Sequence, residues 1–166
     1  MVKKWLYAVG LIFILVTSTN AQAADRIAVV NISSIFQQSP QRALVAKQLE
    51  QEFKIRVTEL QYLEQDLQTQ IERLQRNSSV MNANERSALE RSLLVQRETF
   101  SNKAQAFEQD NHRRQNEERN KIILSIQDVV KKIASKKGYD VVIDVNAVAY
   151  ASNTKDITAD VLKQVL

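Results

Sequence analysis

The chain has 166 residues, with 23 Lys+Arg against 19 Asp+Glu, one His, two Gly, one Pro and no Cys. Hydrophobic residues at 44% and charged residues at 25% suit a single folded, water-soluble domain. Two isolated glycines exclude a Gly-rich phosphate cradle, the missing Cys excludes disulfides, thiolate nucleophiles and Cys-ligated zinc, and a lone His excludes a His-pair metal site. Neither a cofactor nor a metal nor an enzymatic activity is expected.

Residues 1–23 read as a secretory signal peptide. Lys3 and Lys4 precede an apolar run of twelve, Trp5 to Val16, and Ala21-Gln22-Ala23 has the small-x-small cleavage pattern. Twelve residues rise only about 18 Å as a helix, short of a hydrocarbon core of roughly 30 Å, so export is the reading and not anchoring.

Ile27 to Ile32 is short, apolar and rich in β-branched residues, as a buried strand is. Ser34 to Gln37 suits a single helical turn, and Ser39-Pro40 an N-cap with proline at the first helical position. No Gly or Pro follows for 97 residues, until Gly138. Turns need such punctuation, so long helices fill the gap. Ala46, Phe53, Leu60, Leu67 and Leu74 recur every seven residues, with Leu49 and Leu63 between them, as in a coiled-coil seam. Arg56 and Gln70 break the series.

Asn77-Ser78-Ser79 interrupts the pattern, and Asn82 with Glu85 offers a capping box for a second helix. Its stripe runs Leu89, Leu93, Phe100, Ala104 and Phe107, lapses over the fourteen polar residues 108–121, and resumes at Ile122, Ile126, Val129 and Ile133 until Gly138 caps it. Helices of about 37 and 53 residues, roughly 55 and 80 Å long, fold back as an antiparallel hairpin. Tyr139 to Val145 and Val148-Ala149-Tyr150 are strand-like, and a last helix follows Thr158. The fold expected is α+β: residues 41–137 form a hairpin arm projecting from a small β-rich body of residues 24–40 and 138–166. One narrow seam and three short strands with open edges are too little for a monomer, which points to oligomerisation through the strands.

The stretches Ile27 to Gln38, Lys103 to Asp110, Asn116 to Arg119, Asp144 to Tyr150 and Asp156 to Val165 resemble the Skp, or OmpH-like, family of periplasmic chaperones along essentially the whole chain. The resemblance implies a jellyfish-like homotrimer in which three hairpins surround a cavity. That cavity holds unfolded outer-membrane proteins in the periplasm, without ATP. It also implies a lipopolysaccharide site in the segment Lys103 to Arg114, with Lys103, Arg113 and Arg114 at its basic positions. Asn111 and His112 depart from the basic or apolar residues expected there.

Charge placement agrees with that picture. Residues 41–137 carry a net +4 and the rest of the chain beyond the signal −2, so a basic arm attracts acidic chains and phosphorylated lipid surfaces. Lys103 and Arg114 lie eleven residues apart, on one helix face at a rise of about 16 Å; the bland alternative is pairing with Asp110, Glu117 and Glu118 on the same helix. Val80 and Met81, near the turn, are candidate weak client contacts, since a flexible thioether suits adaptable surfaces. Phe53, Phe100 and Phe107 belong to the seam, and His112 to a solvated face. Two other readings stay open, a periplasmic coiled-coil tether and a nucleic-acid binder. The signal peptide and the missing base-stacking platform speak against nucleic acid; a tether would not suppress aggregation of unfolded porins.

Overall fold

The computed structural model describes residues 26–152 and 154–165; the signal peptide expected at 1–23 lies outside them. In chain order the elements are β1 (Ile27–Val30), α1 (Ile32–Gln38), α2 (Pro40–Asn77), α3 (Ala83–Lys137), β2 (Val141–Asp144), a 3-10 turn (Val145–Ala147), β3 (Lys155–Asp156) and α4 (Thr158–Val165). The fold is α+β, with 38- and 55-residue helices that rise about 57 and 82 Å.

Local chemistry explains each boundary. Asn31 ends β1 early because its side chain accepts from the Ser34 N–H at 2.8 Å and caps α1, so the expected single turn is a seven-residue helix. Pro40 opens α2 as expected, but the Ser39 hydroxyl makes no capping bond and is buried without a partner. Asn82 and Glu85 form both bonds of the capping box. At Gly138, φ is +70°, a left-handed conformation in which a Cβ would come within 2.9 Å of the Arg26 guanidinium; glycine ends α3 there without strain.

Strands β2 and β3 both run parallel to β1, in the order β2-β1-β3. Parallel pairing needs a crossover, and the whole hairpin supplies it. Two expectations for the C-terminal strands are corrected. Tyr139 to Val145 shortens to Val141–Asp144, and Val148-Ala149-Tyr150 is not a strand. The Asp144 carboxylate accepts from the Asn146 N–H at 2.8 Å and bends the chain off the sheet. The third strand is Lys155–Asp156 instead, in register with Ala28 and Val29. The Ile157 N–H continues this contact by donating to the Val29 carbonyl, and the Asn31 N–H donates to Thr158 Oγ1.

The main core lies in the body. Ala28 and Val30 of β1, Ile35 of α1, Ile122, Ile126 and Ile133 of α3, and Ile157 and Val161 near the C-terminus form one buried cluster. Since α2 begins opposite the Ile122 region, the last turns of α3 run past it into the body. A Lys137–Asp160 ion pair then ties the end of α3 to α4. One face of the sheet, Ala28 and Val142, turns to these helices. Alternation puts Ile27, Val29, Val141 and Ile143 on the other, where Val29 is buried, Ile27 and Ile143 are half-buried and Val141 is 46% exposed.

Candidate functional site

The middle of the arm is where α2 and α3 meet without a normal apolar seam. Phe53 and Phe107 pack edge to face, 5.6 Å apart. Arg56, which breaks the heptad, lies 5.7 Å from both rings and bonds Asp110 of α3 at 2.8 Å. From Asp110 the network runs to Arg113 at 3.3 Å, on to Glu117 at 2.8 Å, and from Glu117 to Arg114 at 2.7 Å. Arg114 also reaches Glu118 at 2.9 Å and Glu52 of α2 at 2.9 Å, and Lys121 closes on Glu118 at 2.7 Å. Closer to the turn, Lys103 pairs with Glu59 of α2. The fourteen polar residues of α3 therefore continue the hairpin by charge rather than by apolar packing.

These contacts bias protonation. Hydrogen bonds from Arg56 and then Arg113 hold Asp110 below the ordinary carboxylate range. Arg114 and Arg113 do the same for Glu117, and Lys121 chiefly for Glu118. The carboxylates in turn raise Arg113 and Arg114, Glu117 first for Arg113 and Glu52 first for Arg114. A carboxylate whose folded value is depressed binds its proton more weakly in the folded arm than in the unfolded chain. Its stabilisation is complete above the ordinary values of 3.8 and 4.5 and is lost as pH falls through and below them. Amides of residues 52–56 and 110–118 are therefore expected to lose protection from hydrogen exchange on acidification to about pH 3. Exchange rates corrected for intrinsic chemistry read the change, and unchanged protection would deny the network a role in pairing the helices.

Every basic residue of the expected lipid site lies on this network or next to it, and all three carry carboxylate partners: Lys103 Glu59, Arg113 Asp110 and Glu117, and Arg114 Glu52, Glu117 and Glu118. Pairing on the helix holds for Glu117 and Glu118 and also for Asp110, which takes Arg113 instead of Arg114 and reaches across to Arg56 as well. Val80 and Met81 sit in the turn between the helices, Val80 82% exposed and Met81 half-buried, beside a hollow lined by Ala88 and Leu89. His112 is on the solvated face near Glu108. Among the described residues no cluster of metal ligands occurs, and no helix is long and apolar enough to cross a membrane.

Reading the sequence missed a groove of about 770 Å³ at the base of the arm. Its floor is apolar, from Phe36 through Val45, Leu49 and Val57 to the Phe53–Phe107 pair. Its α3 wall carries Asn111, Gln115 and Asn116, and its rim Arg42, Lys54 and Arg119 against the single acid Glu50. The signal for it was present. Residues 45–57 of α2 keep an apolar stripe while the residues opposite, 108–121 of α3, have none, so part of that stripe has nothing to cover it.

A helical-hairpin arm on a small parallel-sheet body, its working surfaces lying along the arm and not in an enclosed pocket, is the class this architecture defines. A family model described as outer membrane protein (OmpH-like) matches residues 26–165. The chain belongs to that family. It is 65% identical to "Chaperone protein Skp" of Pectobacterium atrosepticum over 98% of this chain and 99% of the relative. With the protein of the same description from Yersinia enterocolitica it is 64% identical, and with that from Salmonella typhimurium 54%, at the same coverage of both chains. A crystal structure of a putative outer membrane chaperone (OmpH-like) from Caulobacter crescentus shares the fold, with a TM-score of 0.71 over 84% of this chain and 83% of that one at 14% identity.

Proposed function

We propose that the chain is an ATP-independent periplasmic holdase that takes unfolded outer-membrane β-barrel proteins between its arms, keeps them from aggregating and assists their delivery to the outer membrane. The observation that carries this is the identity of 54–65% with chaperones over 98% of the chain. The shape suits the task. Long arms with exposed apolar side chains and a net positive charge hold a chain by many weak contacts, and multivalency turns these into useful affinity. On this reading residues 24–40 and 138–166 are the body of a homotrimer, residues 41–137 are the arm, and Val80 and Met81 meet clients at the tip. At near-stoichiometric ratios, without nucleotide, the mature protein is expected to suppress light scattering from a diluted, urea-unfolded porin and to form one complex of discrete mass with it. Scattering as high as without the protein would remove the holdase.

A second partner is lipopolysaccharide or another anionic lipid, held by Lys103, Arg113 and Arg114. Lipid phosphates there must compete with Glu52, Glu59 and Glu117. Neutralising Lys103, Arg113 and Arg114 to glutamine should weaken lipopolysaccharide binding at low salt, whereas Glu52→Gln with Glu59→Gln, which frees Lys103 and removes one of the three carboxylates on Arg114, should tighten it. Both effects should shrink as salt shortens the Debye length to about 3 Å at 1 M. Titration of lipopolysaccharide at two ionic strengths measures them, and equal affinities in all three proteins would discard the site.

A further inference from the structure

The groove at the base of the arm differs chemically from the charged network beside it. Lys103, Arg113 and Arg114 are all neutralised by carboxylates. Among the described residues, Arg42, Lys54 and Arg119 have no carboxylate within ion-pairing distance; Arg42 bonds only the Gln37 side-chain carbonyl. Both guanidiniums lie about 6 Å from the Phe36 ring, Arg42 at 6.0 Å and Arg119 at 5.9 Å. The groove thus pairs an apolar floor with a net positive rim, a combination that suits an apolar occupant with negative charge beside it.

The α3 wall decides what kind of occupant. Gln115 donates to Asn111 at 3.0 Å, which leaves the Asn111 amide N–H groups, the Gln115 carbonyl and the whole Asn116 carboxamide unbonded among the described residues. An acyl chain has no use for three carboxamides. An extended peptide does, because its backbone N–H and C=O groups need partners once they leave water. Residues 111 and 115 are separated by a rise of about 6 Å along α3, close to the two-residue repeat of a strand at about 6.6 Å. From Arg42 to Thr58 the groove runs about 24 Å along α2, the length of about seven extended residues.

We propose that this groove seats an extended client segment of about seven residues, bulky apolar side chains at alternate positions on the floor and acidic side chains at the basic rim. The inference rests on the holdase reading and gives it an address. Alternating apolar and polar residues are also the pattern of transmembrane β-strands, so an unfolded barrel offers the groove many such segments.

The test uses the mature full-length protein and a fluorescein-labelled peptide in which valine and tyrosine alternate with threonine and glutamate, followed by anisotropy. Ala46 lines the groove and is exposed on its helix, so Ala46→Trp fills the space without disturbing a packed core. It is expected to weaken the peptide about tenfold, as loss of a central contact does. Arg42→Glu with Arg119→Glu should weaken it similarly at low salt and favour a matched peptide with lysine in place of glutamate. Ile55→Asp, at an 81% exposed position away from the groove, should leave the affinity unchanged. Wild-type affinity in Ala46→Trp, with helical circular dichroism intact, overturns the groove, and so does an equal loss in Ile55→Asp, which would mark nonspecific stickiness. Porin aggregation is read on the same preparations. Equal suppression by wild type and Ala46→Trp overturns the groove as a client seat while the holdase stands, whereas failure of the wild type to suppress removes the holdase itself.

Discussion

Replacing Ile126 by alanine is expected to cost the folded body about 2–5 kcal/mol, the range for deleting a buried aliphatic side chain. Ile126 is fully buried, in the cluster that joins β1, α1 and the C-terminal segment to α3. A loss of that size is a large share of the roughly 5–15 kcal/mol that small proteins possess. Leu124, two residues away and 60% exposed, is the control: Leu124→Ala should change stability by no more than about 0.5 kcal/mol. Urea unfolding at one fixed protein concentration measures both, since the stability of the proposed trimer would depend on concentration. Similar midpoints for the two variants would place the core elsewhere.

The sequence shows the arm more clearly than the body, for a physical reason. Two helices with no glycine or proline between Pro40 and Gly138 announce themselves by period, caps and length, and the capping box at Asn82 and the left-handed Gly138 fall where the pattern puts them. Strand β3 could not be found that way. Lys155 and Asp156 are charged and exposed, and they are a strand only because Ala28 and Val29 offer a parallel edge. Local pattern carries no trace of a pairing across more than a hundred residues. Val148-Ala149-Tyr150 has the better strand composition but follows the Asx bend at Asp144, so turn chemistry overrides β-propensity.

The site was half legible in the same way. Positions of Lys103, Arg113 and Arg114 on α3 follow from helical spacing, but their partners Glu52 and Glu59 belong to the other helix, and register between helices is a tertiary property. Arg56 reads as a flaw in the seam when α2 is taken alone; opposite Phe107 and Asp110 it is the residue that joins the apolar seam to the charged one. The groove arises from the same mismatch, because a polar stretch of α3 lies against an apolar stretch of α2.

The largest effect on assembly is expected at the β2 side of the sheet's second face. Strand alternation sends Val142 inward, where it packs on the core, and Val141 and Ile143 outward beside Ile27 and Val29 of β1. On that face Val141 is 46% exposed and Ile27 and Ile143 are half-buried, while Val29 is covered, so its β2 edge offers apolar surface to a further copy of the chain. Val141→Asp with Ile143→Asp should therefore dissociate the proposed trimer while the single chain keeps its helices. Unpaired carboxylates in an apolar contact cost about 3–5 kcal/mol, which raises the dissociation constant by about 10²–10⁴. Val142→Asp should behave differently and unfold the body, because its carboxylate enters the core without a partner. Sedimentation equilibrium with far-UV circular dichroism separates the two outcomes. Holdase activity should fall with the double variant, since one arm cannot enclose a client and multivalent contact disappears with the partner copies. An assembly mass equal to the wild type in the double variant would move the contact between copies off the sheet and onto the arms.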